Sequence, residues 1–238
     1  MATTAMLVVN PFTTIASAAS SFTGLSGSYS KLVFLHTANL NASGDYRVIQ
    51  YIKDIKNNKS NAILLKTGQC RQDETCQLPY DVSIDGGNGL SAITGDYKII
   101  NKGNLRTGII SAKPEDSDVI QKINSLSAYL KKEKNCTVVV CLSRLGYKNK
   151  NTIDDITLAN KSTHLDIIVG GHADNFHIHP IIAINSNNGE VIIHSAAGDP
   201  AAFGKIEIDF NEQGQKKHIS FTNKLSNNNA PNPAIPAA

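Results

Sequence analysis

The sequence predicts an α/β fold in which two mixed β-sheets form a sandwich flanked by helices. Two observations favour this class. From Lys31 onward, short apolar runs typical of buried strands alternate with segments whose apolar residues have helical spacing. Towards the end of the chain, apolar runs are instead separated by tight turns, as in antiparallel hairpins. Helices between strands, followed by hairpins, indicate sheets whose outer faces are covered by helices.

The first half of this pattern contains two buried strands, a helix, a loop and a hairpin. The apolar runs KLVFLHT and NAILLKTG are predicted to be strands. Between them, DYRVIQYIKDIKNN carries Val48, Ile52 and Ile55 at helical spacing. The polar, glycine-rich residues 69–96 are predicted to be a loop. The segment YKIINKGNLRTGIISAK is predicted to be a hairpin that turns at residues 102–104.

The second half adds two helices and the remaining strands. DSDVIQKINSLSAYLKKEK is predicted to be a helix with Asp116 or Ser117 as its N-cap. CTVVVCLSRLG and LDIIVGGH are predicted to be buried strands, with TIDDITLANKS as a short helix between them. HIHPIIAIN and VIIHSAAG are strands joined by the turn SNNGE. In GKIEIDF, alternation places Ile206, Ile208 and Phe210 on one face of a strand.

Length and composition limit the class of protein. The chain has 238 residues, 41% of them hydrophobic, which suits one large domain with a substantial core. The formal net charge is only +3, and the Lys and Arg residues are scattered, so we expect no nucleic-acid partner. No stretch approaches the roughly 20 apolar residues that a membrane-spanning helix needs.

The two termini differ in composition from the domain between them, which we place at residues 31–223. Residues 1–30 are rich in Ser, Thr and Ala and contain no Lys or Arg. Their ASAAS sequence resembles a signal-peptidase site without the usual basic stretch, which predicts either a residual export segment or a mature arm. We therefore expect a periplasmic or extracellular protein. Residues 224–238 form an Asn/Pro/Ala-rich tail, and we expect a protein partner or self-association through both tails.

The four cysteines leave their redox state open. They are Cys70, Cys76, Cys136 and Cys141. An even count in an exported protein allows disulfides, with Cys70 and Cys76 the easiest pair by sequence distance, while free buried thiols are equally consistent. The spacings match no standard zinc module.

Four predicted strand ends carry motifs, namely FLHTANLN, LLKTGQ, CLSRLGY and IIVGGHAD. Their order and spacing resemble the calcineurin-like metallophosphoesterases, and closely the catalytic domain of 5′-nucleotidases, which reads HTNDLHG, LLDAGD, GNHEFD, LSHLGY and DLIVGGHSH. The resemblance covers residues 31–211, including YKIINKGNLRTGIISAK and AAFGKIEIDF. It implies a metallophosphoesterase-like sandwich. It also implies that the separate nucleoside-binding domain of full-length 5′-nucleotidases is absent, which we expect to weaken nucleotide hydrolysis.

The resemblance also implies where a metal site would stand. In that family two metal ions clamp a phosphate ester while a bound hydroxide attacks phosphorus. The Asp and the second His of HTNDLHG fall on Asn39 and Asn41, and the bridging Asp of LLDAGD falls on Gln69. The shortened GNHE segment maps its Asn ligand onto Ser83 and its catalytic His onto Ile84.

The remaining family positions show the same loss of ligands. The His of LSHLGY falls on Arg144, and of the two His in GGHSH only His172 is kept, because the second is Asp174. Two divalent ions need several anionic ligands. Neutral amides supply no negative charge, and an arginine adds a positive charge that repels metal ions. We therefore predict a catalytically inactive, pseudoenzyme relative of 5′-nucleotidases, without cofactors, that acts as a binding or structural subunit, with self-assembly through its tails.

Two other interpretations stay open. The first is a divergent phosphoesterase with a rebuilt metal site, for which the candidate ligands are His172, Asp174, His177 and His179. Alternatively, those residues are surface or strand-edge side chains. The second is an anion or nucleotide sensor that uses Arg144, His172 and Lys66 at strand ends, where α/β folds usually bind ligands. An inert, filled pocket is the alternative there.

Overall fold

The structure is a computed structural model. It describes residues 31–38, 46–68, 78–84, 93, 96–148, 152–171, 179–196 and 202–225. In chain order the elements are β1 (Lys31–Thr37), α1 (Tyr46–Asn58), β2 (Ala62–Lys66), β3 (Val82–Ser83), β4 (Tyr97–Lys102), β5 (Leu105–Ala112), α2 (Val119–Lys132), β6 (Val138–Ser143), α3 (Asp155–Lys161), β7 (Ile167–Gly170), β8 (Ile181–Ile184), β9 (Glu190–Ser195), β10 (Ala202–Phe210) and β11 (Lys216–Leu225).

The strands form two mixed sheets, as predicted. The first sheet has the order β11-β10-β1-β2-β3, with β1, β2 and β3 parallel and the other neighbours antiparallel. The second sheet has the order β4-β5-β6-β7-β9-β8, with a parallel centre and antiparallel strands at both edges. Parallel neighbours direct their carboxyl ends to one edge of each sheet, which is where the sequence predicts the candidate site.

Apolar side chains fill three layers. The layer between the two sheets includes Phe34, Val140 and Ile208, all completely buried. A second layer joins α2 and α3 to the outer face of the second sheet, and a third joins α1 to the outer face of the first. The strand β6 is buried throughout because both of its faces are covered, which explains its continuous apolar run.

The N-termini of α2 and α3 differ in their local chemistry. The predicted N-cap of α2, Asp116 or Ser117, is wrong. Its N-cap is Asp118, in the left-handed region (φ 49, ψ 44) and without a side-chain cap. The Asp116 carboxylate instead accepts hydrogen bonds from the Lys113 backbone N–H and the Lys122 ammonium, each at 2.9 Å. The side chain of Asp154, by contrast, caps α3 by accepting from the Thr157 N–H at 2.7 Å.

Two strands were not predicted. β3 lies inside residues 69–96, which were expected to be a loop, and it has only two residues. Its backbone is extended because it pairs with β2, so the cause is tertiary rather than local. β11 is a long edge strand with a mixed polar sequence, KKHISFTNKL, and it pairs with β10 in an antiparallel register.

Other features of the described residues complete the fold. Cys136 and Cys141 are buried free thiols, and burial raises the pKa of both. Cys70 and Cys76 lie outside the described residues. No helix in the described part of the chain is long and apolar enough to cross a membrane.

Candidate functional site

The carboxyl ends of the two sheets meet at Thr67 and the Gly170–Gly171 pair. The buried Thr67 hydroxyl lies 3.3 Å from the Thr37 carbonyl and 3.4 Å from the Gly170 carbonyl, so one side chain links β1, β2 and β7. A Cβ at Gly171 would lie only 2.7 Å from Thr67 Oγ1. The second glycine of IVGGH is therefore required for this close approach of the two sheets.

Several predicted site residues lie outside the described residues, close in sequence to this contact. They are Asn39, Asn41, Gln69, His172, Asp174 and His177. The predicted residues that the structure describes are Lys66, Ser83, Ile84, Arg144 and His179.

Lys66 ends β2 with a side chain that is only 4% exposed. Its ammonium lies 5.7 Å from the centre of the Tyr80 ring, which is a cation–π distance. The Tyr80 hydroxyl is 2.7 Å from the Thr37 hydroxyl, and burial raises its pKa to about 12. Along β2, Lys66 shares the face of Ala62 and Leu64, which packs towards α1. The structure thus places this anion-site candidate under α1 and Tyr80.

Ser83 and Ile84 stand where the resemblance places an Asn ligand and the catalytic His. Ser83 is 1% exposed and Ile84 is 4% exposed. The Ile84 side chain belongs to the apolar layer between the sheets, together with Leu65 and Val82. Its backbone N–H donates to the Lys66 carbonyl at 3.0 Å, which fixes the chain next to β2. The residue that the resemblance aligns with a catalytic imidazole is therefore an aliphatic core residue in this structure.

Arg144 directly follows β6, and the resemblance of motifs aligns it with a family imidazole ligand. It is half-buried, and its backbone N–H donates to the Ala112 carbonyl at 3.0 Å. A guanidinium carries a fixed positive charge and has no acceptor, so it cannot bind a metal ion. The side chain just past the carboxyl end of β6 is therefore a cation and not a possible metal ligand.

An acidic centre that was not predicted lies beside Arg144. The Ser143 hydroxyl donates to the Asp155 carboxylate, and both residues are buried. A Cβ at Gly170 would lie 3.1 Å from Asp155 Oδ2 and 3.3 Å from the Ser195 Cβ, so β6, β7 and β9 converge here. Burial, opposed by the Ser143 hydrogen bond and assisted by the neighbouring Asp154, raises the pKa of Asp155 to about 7.

A basic centre, also not predicted, joins the two sheets. His36 Nε2 on β1 and His194 Nδ1 on β9 are 2.5 Å apart, and both rings are completely buried. The rings meet edge-on, with centres 4.7 Å apart and planes at 80°. A Cβ at residue 204 would overlap the His36 ring and lie 2.7 Å from His194 Cε1, so Gly204 makes room for the pair. Burial, and then the neighbouring imidazole, hold the pKa of His36 well below 6.5.

Only weak sequence signals point to these two centres. His36 lies in the motif FLHTANLN and Asp155 in the predicted helix TIDDITLANKS, but neither pattern identifies a partner. The partners are Ser143, twelve residues away, and His194, at a separation of 158 residues. The packing of the two sheets brings His36 and His194 together, and the packing of α3 beside the end of β6 brings Asp155 to Ser143.

Of the described residues, the three that the resemblance aligns with the family's site do not supply the donors of a two-metal site. Ile84 has no donor atom, Ser83 offers only a neutral hydroxyl, and Arg144 is cationic. Within the described ranges, no three His, Cys, Asp or Glu side chains are grouped closely enough to hold a metal ion. His179, the one rebuilt-site candidate that is described, is exposed just before β8.

No protein-family model and no curated protein matches the sequence. Several solved structures share the fold. A 5′-nucleotidase precursor from Thermus thermophilus is 17% identical with a TM-score of 0.65, covering 82% of this chain and 54% of that one. The NAD nucleotidase of Haemophilus influenzae is 15% identical with a TM-score of 0.62, covering 80% and 49%. The sulfate thiohydrolase SoxB of Thermus thermophilus is 13% identical with a TM-score of 0.57, covering 75% and 42%.

These likenesses confirm the predicted fold, a metallophosphoesterase-like sandwich of the kind found in 5′-nucleotidases. The chain spans about half the length of the neighbours it matches. At such low identity the likeness concerns the fold alone, so the chemistry depends on the residues at the sheet edge.

Proposed function

We propose that this 5′-nucleotidase-like domain is catalytically inactive and acts as a binding or structural subunit. The observation that supports the proposal is Ile84, which packs in the core between the two sheets and which the resemblance of motifs aligns with the family's catalytic His. Fully burying an Ile side chain contributes about 1.5–3 kcal/mol to stability, so this residue has a structural reason to be there. It has no capacity for proton transfer or for stabilising a leaving group.

The charges at the sheet edge support the same conclusion. Two divalent ions need anionic ligands, while the aligned positions 39, 41 and 69 carry neutral amides and Arg144 carries a positive charge. The scaffold of strands is retained because it forms the core between the sheets. The ligands are not retained because nothing in the packing requires them.

Metal content and turnover test this proposal together. We expect substoichiometric metal by mass spectrometry after incubation with Mn²⁺ and Zn²⁺, and no hydrolysis of a chromogenic phosphate ester. The variant His172→Ala and the control His218→Ala, an exposed residue on β11, should behave alike. Two bound ions with turnover, lost in His172→Ala and kept in His218→Ala, would contradict the proposal and support the divergent phosphoesterase. One bound ion that His172→Ala removes would support a rebuilt site.

A second candidate function is the binding of a small anion, favoured by the position of Arg144. It lies at the carboxyl end of β6, where α/β folds bind ligands, and it is partly accessible. Inorganic phosphate or a nucleotide that binds there would stabilise the fold by about 2.7 kcal/mol at a hundred times its Kd. The shift in Tm should vanish in Arg144→Ala and persist in the exposed control Arg47→Ala. No shift in the wild-type protein would exclude this function.

Export and self-association through the tails are part of the proposal. The Ser/Thr/Ala-rich residues 1–30 and the Asn/Pro/Ala-rich residues 224–238 support them through their composition. Fractionation of the producing cells and light scattering of the full chain test the two points separately. Finding the protein in the cytosol would contradict export. A monomeric mass at every protein concentration would contradict self-association.

A further inference from the structure

The two sheets of the sandwich differ in width at one side. The first sheet has five strands and ends at β11, whereas the second has six and ends at β8. A groove of about 290 Å³ between β9 and β11 is lined by Ile192, Lys216 and Ile219, among others, so β11 faces β9 across the sandwich. The sixth strand, β8, extends past it without a counterpart among the described residues.

The unmatched strand exposes apolar side chains on its inner face. Ala183 packs towards the helices, while Ile182 pairs in register with Ile192, which belongs to the layer between the sheets. Because alternate residues share a face, Ile182 and Ile184 both point towards the side of the first sheet. They are 51% and 52% exposed.

β11, on the other side of the groove, also exposes an apolar side chain. Ile219 on β11 packs against the central layer, and Phe221, two residues later, lies on the same face. The Phe221 ring is centred 6.5 Å from that of His194, yet the residue is 42% exposed. Three large apolar side chains thus border one open side of the sandwich. One added strand beside β11 would cover them.

We propose that residues 5–9 of this chain, AMLVV, form that added strand beside the outer edge of β11, which pairs with no other strand among the described residues. Residues 1–30 contain no Asp, Glu, Lys or Arg, and AMLVV is apolar with two β-branched residues. Five residues are a typical strand length. The 21 residues from 10 to 30 can span roughly 70 Å when extended, at about 3.3 Å per residue, so they reach the edge of their own sheet easily.

Other occupants fit less well. A second copy of β11 in antiparallel pairing would bring Lys217 opposite Lys224, which places like charges side by side. Such lysines on an edge strand oppose edge-to-edge association. The C-terminal residues 226–238 contain Pro231, Pro233 and Pro236, which remove the backbone donors that a strand needs. The uncharged N-terminal segment has neither defect.

This inference is independent of whether the domain is catalytic, since it rests only on the open edge and on the composition of residues 1–30. The same segment donated by a second copy would be a strand exchange, which links the edge to self-association. The proposed occupant is the segment of the same chain, and protection of that segment that disappears when the protein is diluted to the monomer would overturn it in favour of strand exchange.

Hydrogen–deuterium exchange on the full chain tests the proposal. We expect the amides of residues 6–9 to exchange at least tenfold more slowly than those of residues 17–26, which have a similar uncharged composition. Val8→Pro should abolish this protection and accelerate exchange in β11, while the matched control Ser17→Pro should change neither. Exchange of residues 6–9 at the rate of an unstructured peptide would overturn the proposal, as would protection that survives Val8→Pro.

A second variant pair tests the surface without touching the segment. Ile184→Lys places a charge under the added strand at a position that is already half exposed, so the fold should tolerate it. We expect it to remove the protection of residues 6–9. Tyr129→Lys, at a 37% exposed apolar residue on α2, is the control and should leave that protection unchanged. Equal effects of the two substitutions would contradict the proposed docking surface.

Discussion

The two buried polar centres of the molecule respond to burial in opposite ways. The His36–His194 pair joins the two sheets, whereas the Ser143–Asp155 pair lies within the second sheet and α3. Burial favours the neutral form of each group, so it holds the pKa of His36 well below 6.5 and raises that of Asp155 to about 7. One physical cause therefore produces opposite pH dependences of stability in one domain.

The two centres also differ in how tightly the surrounding residues pack against them. The histidine pair depends on the missing side chain of Gly204, which leaves space for two rings between the sheets. The acidic pair also lies against a glycine, Gly170, but a Cβ there would come no closer than 3.1 Å to the Asp155 carboxylate, whereas one at residue 204 would overlap the His36 ring. The basic centre should consequently be the more sensitive of the two to changes in packing.

The largest expected effect is that of Gly204→Ala. The new methyl group overlaps the His36 ring, so we expect a loss of about 3 kcal/mol in the free energy of unfolding, measured with urea. In a His36→Ala background the same substitution should cost much less, because the space is then available. Equal costs in the two backgrounds would show that the histidine pair is not what requires the glycine.

The second effect is acid sensitivity caused by His36. Its folded pKa is lowered, so its contribution to stability is complete above the unfolded value of 6.5 and is lost as the pH falls below it. Each pH unit in that window should cost up to about 1.4 kcal/mol. Urea unfolding of His36→Gln between pH 4 and 8 should lack this slope, whereas His218→Gln should retain it. An unchanged slope in His36→Gln would refute the assignment.

The third effect has the opposite sign and comes from Asp155. Its folded pKa of about 7 lies above the unfolded value of 3.8, so its contribution is complete below 3.8 and is lost as the pH rises to about 7. Asp155→Asn keeps an acceptor for Ser143 and cannot ionise. We expect this variant to be more stable than the wild type at pH 8 and to lose the falling slope between these values. A variant that is less stable at pH 8 would contradict a buried neutral acid.

The smallest effect concerns Asp154, whose charge helps to raise the pKa of Asp155. Asp154→Asn retains the side-chain cap of α3 and removes that charge, so the Asp155 pKa should move down while stability changes by less than about 0.5 kcal/mol. Carboxyl NMR titration measures the shift. Asp154→Ala, which loses the cap, should cost about 1 kcal/mol. An Asp155 pKa that stays fixed in both variants would show that the charge of Asp154 does not contribute to it.

Much of the fold was predictable because the patterns are local. The helical spacing of Val48 and Ile52 and the alternation of Ile206 and Ile208 each reflect one buried face, and the structure buries all four residues. The hairpin at residues 102–104 followed from its turn sequence, with Gly103 at φ 59. The N-cap of α2 was not predictable, since Asp116 and Asp118 offer similar side chains and only the path of the chain selects between them.

Less of the candidate site was predictable. The resemblance of motifs aligned Ile84 with the family's catalytic His and Arg144 with a family ligand by their order in the chain. It could not show that Ile84 packs in the core or that Lys66 lies under Tyr80. Those contacts depend on which strands become neighbours.

The sequence by itself determined the alternation of strands and helices and the sandwich class, because each depends on residue type and spacing along the chain. Only the tertiary structure decided the pairing of His36 with His194, the strand β3 and the unequal width of the sheets. The reason is physical. Hydrogen bonds between distant strands and the burial of their side chains depend on long-range pairing, which no local periodicity encodes.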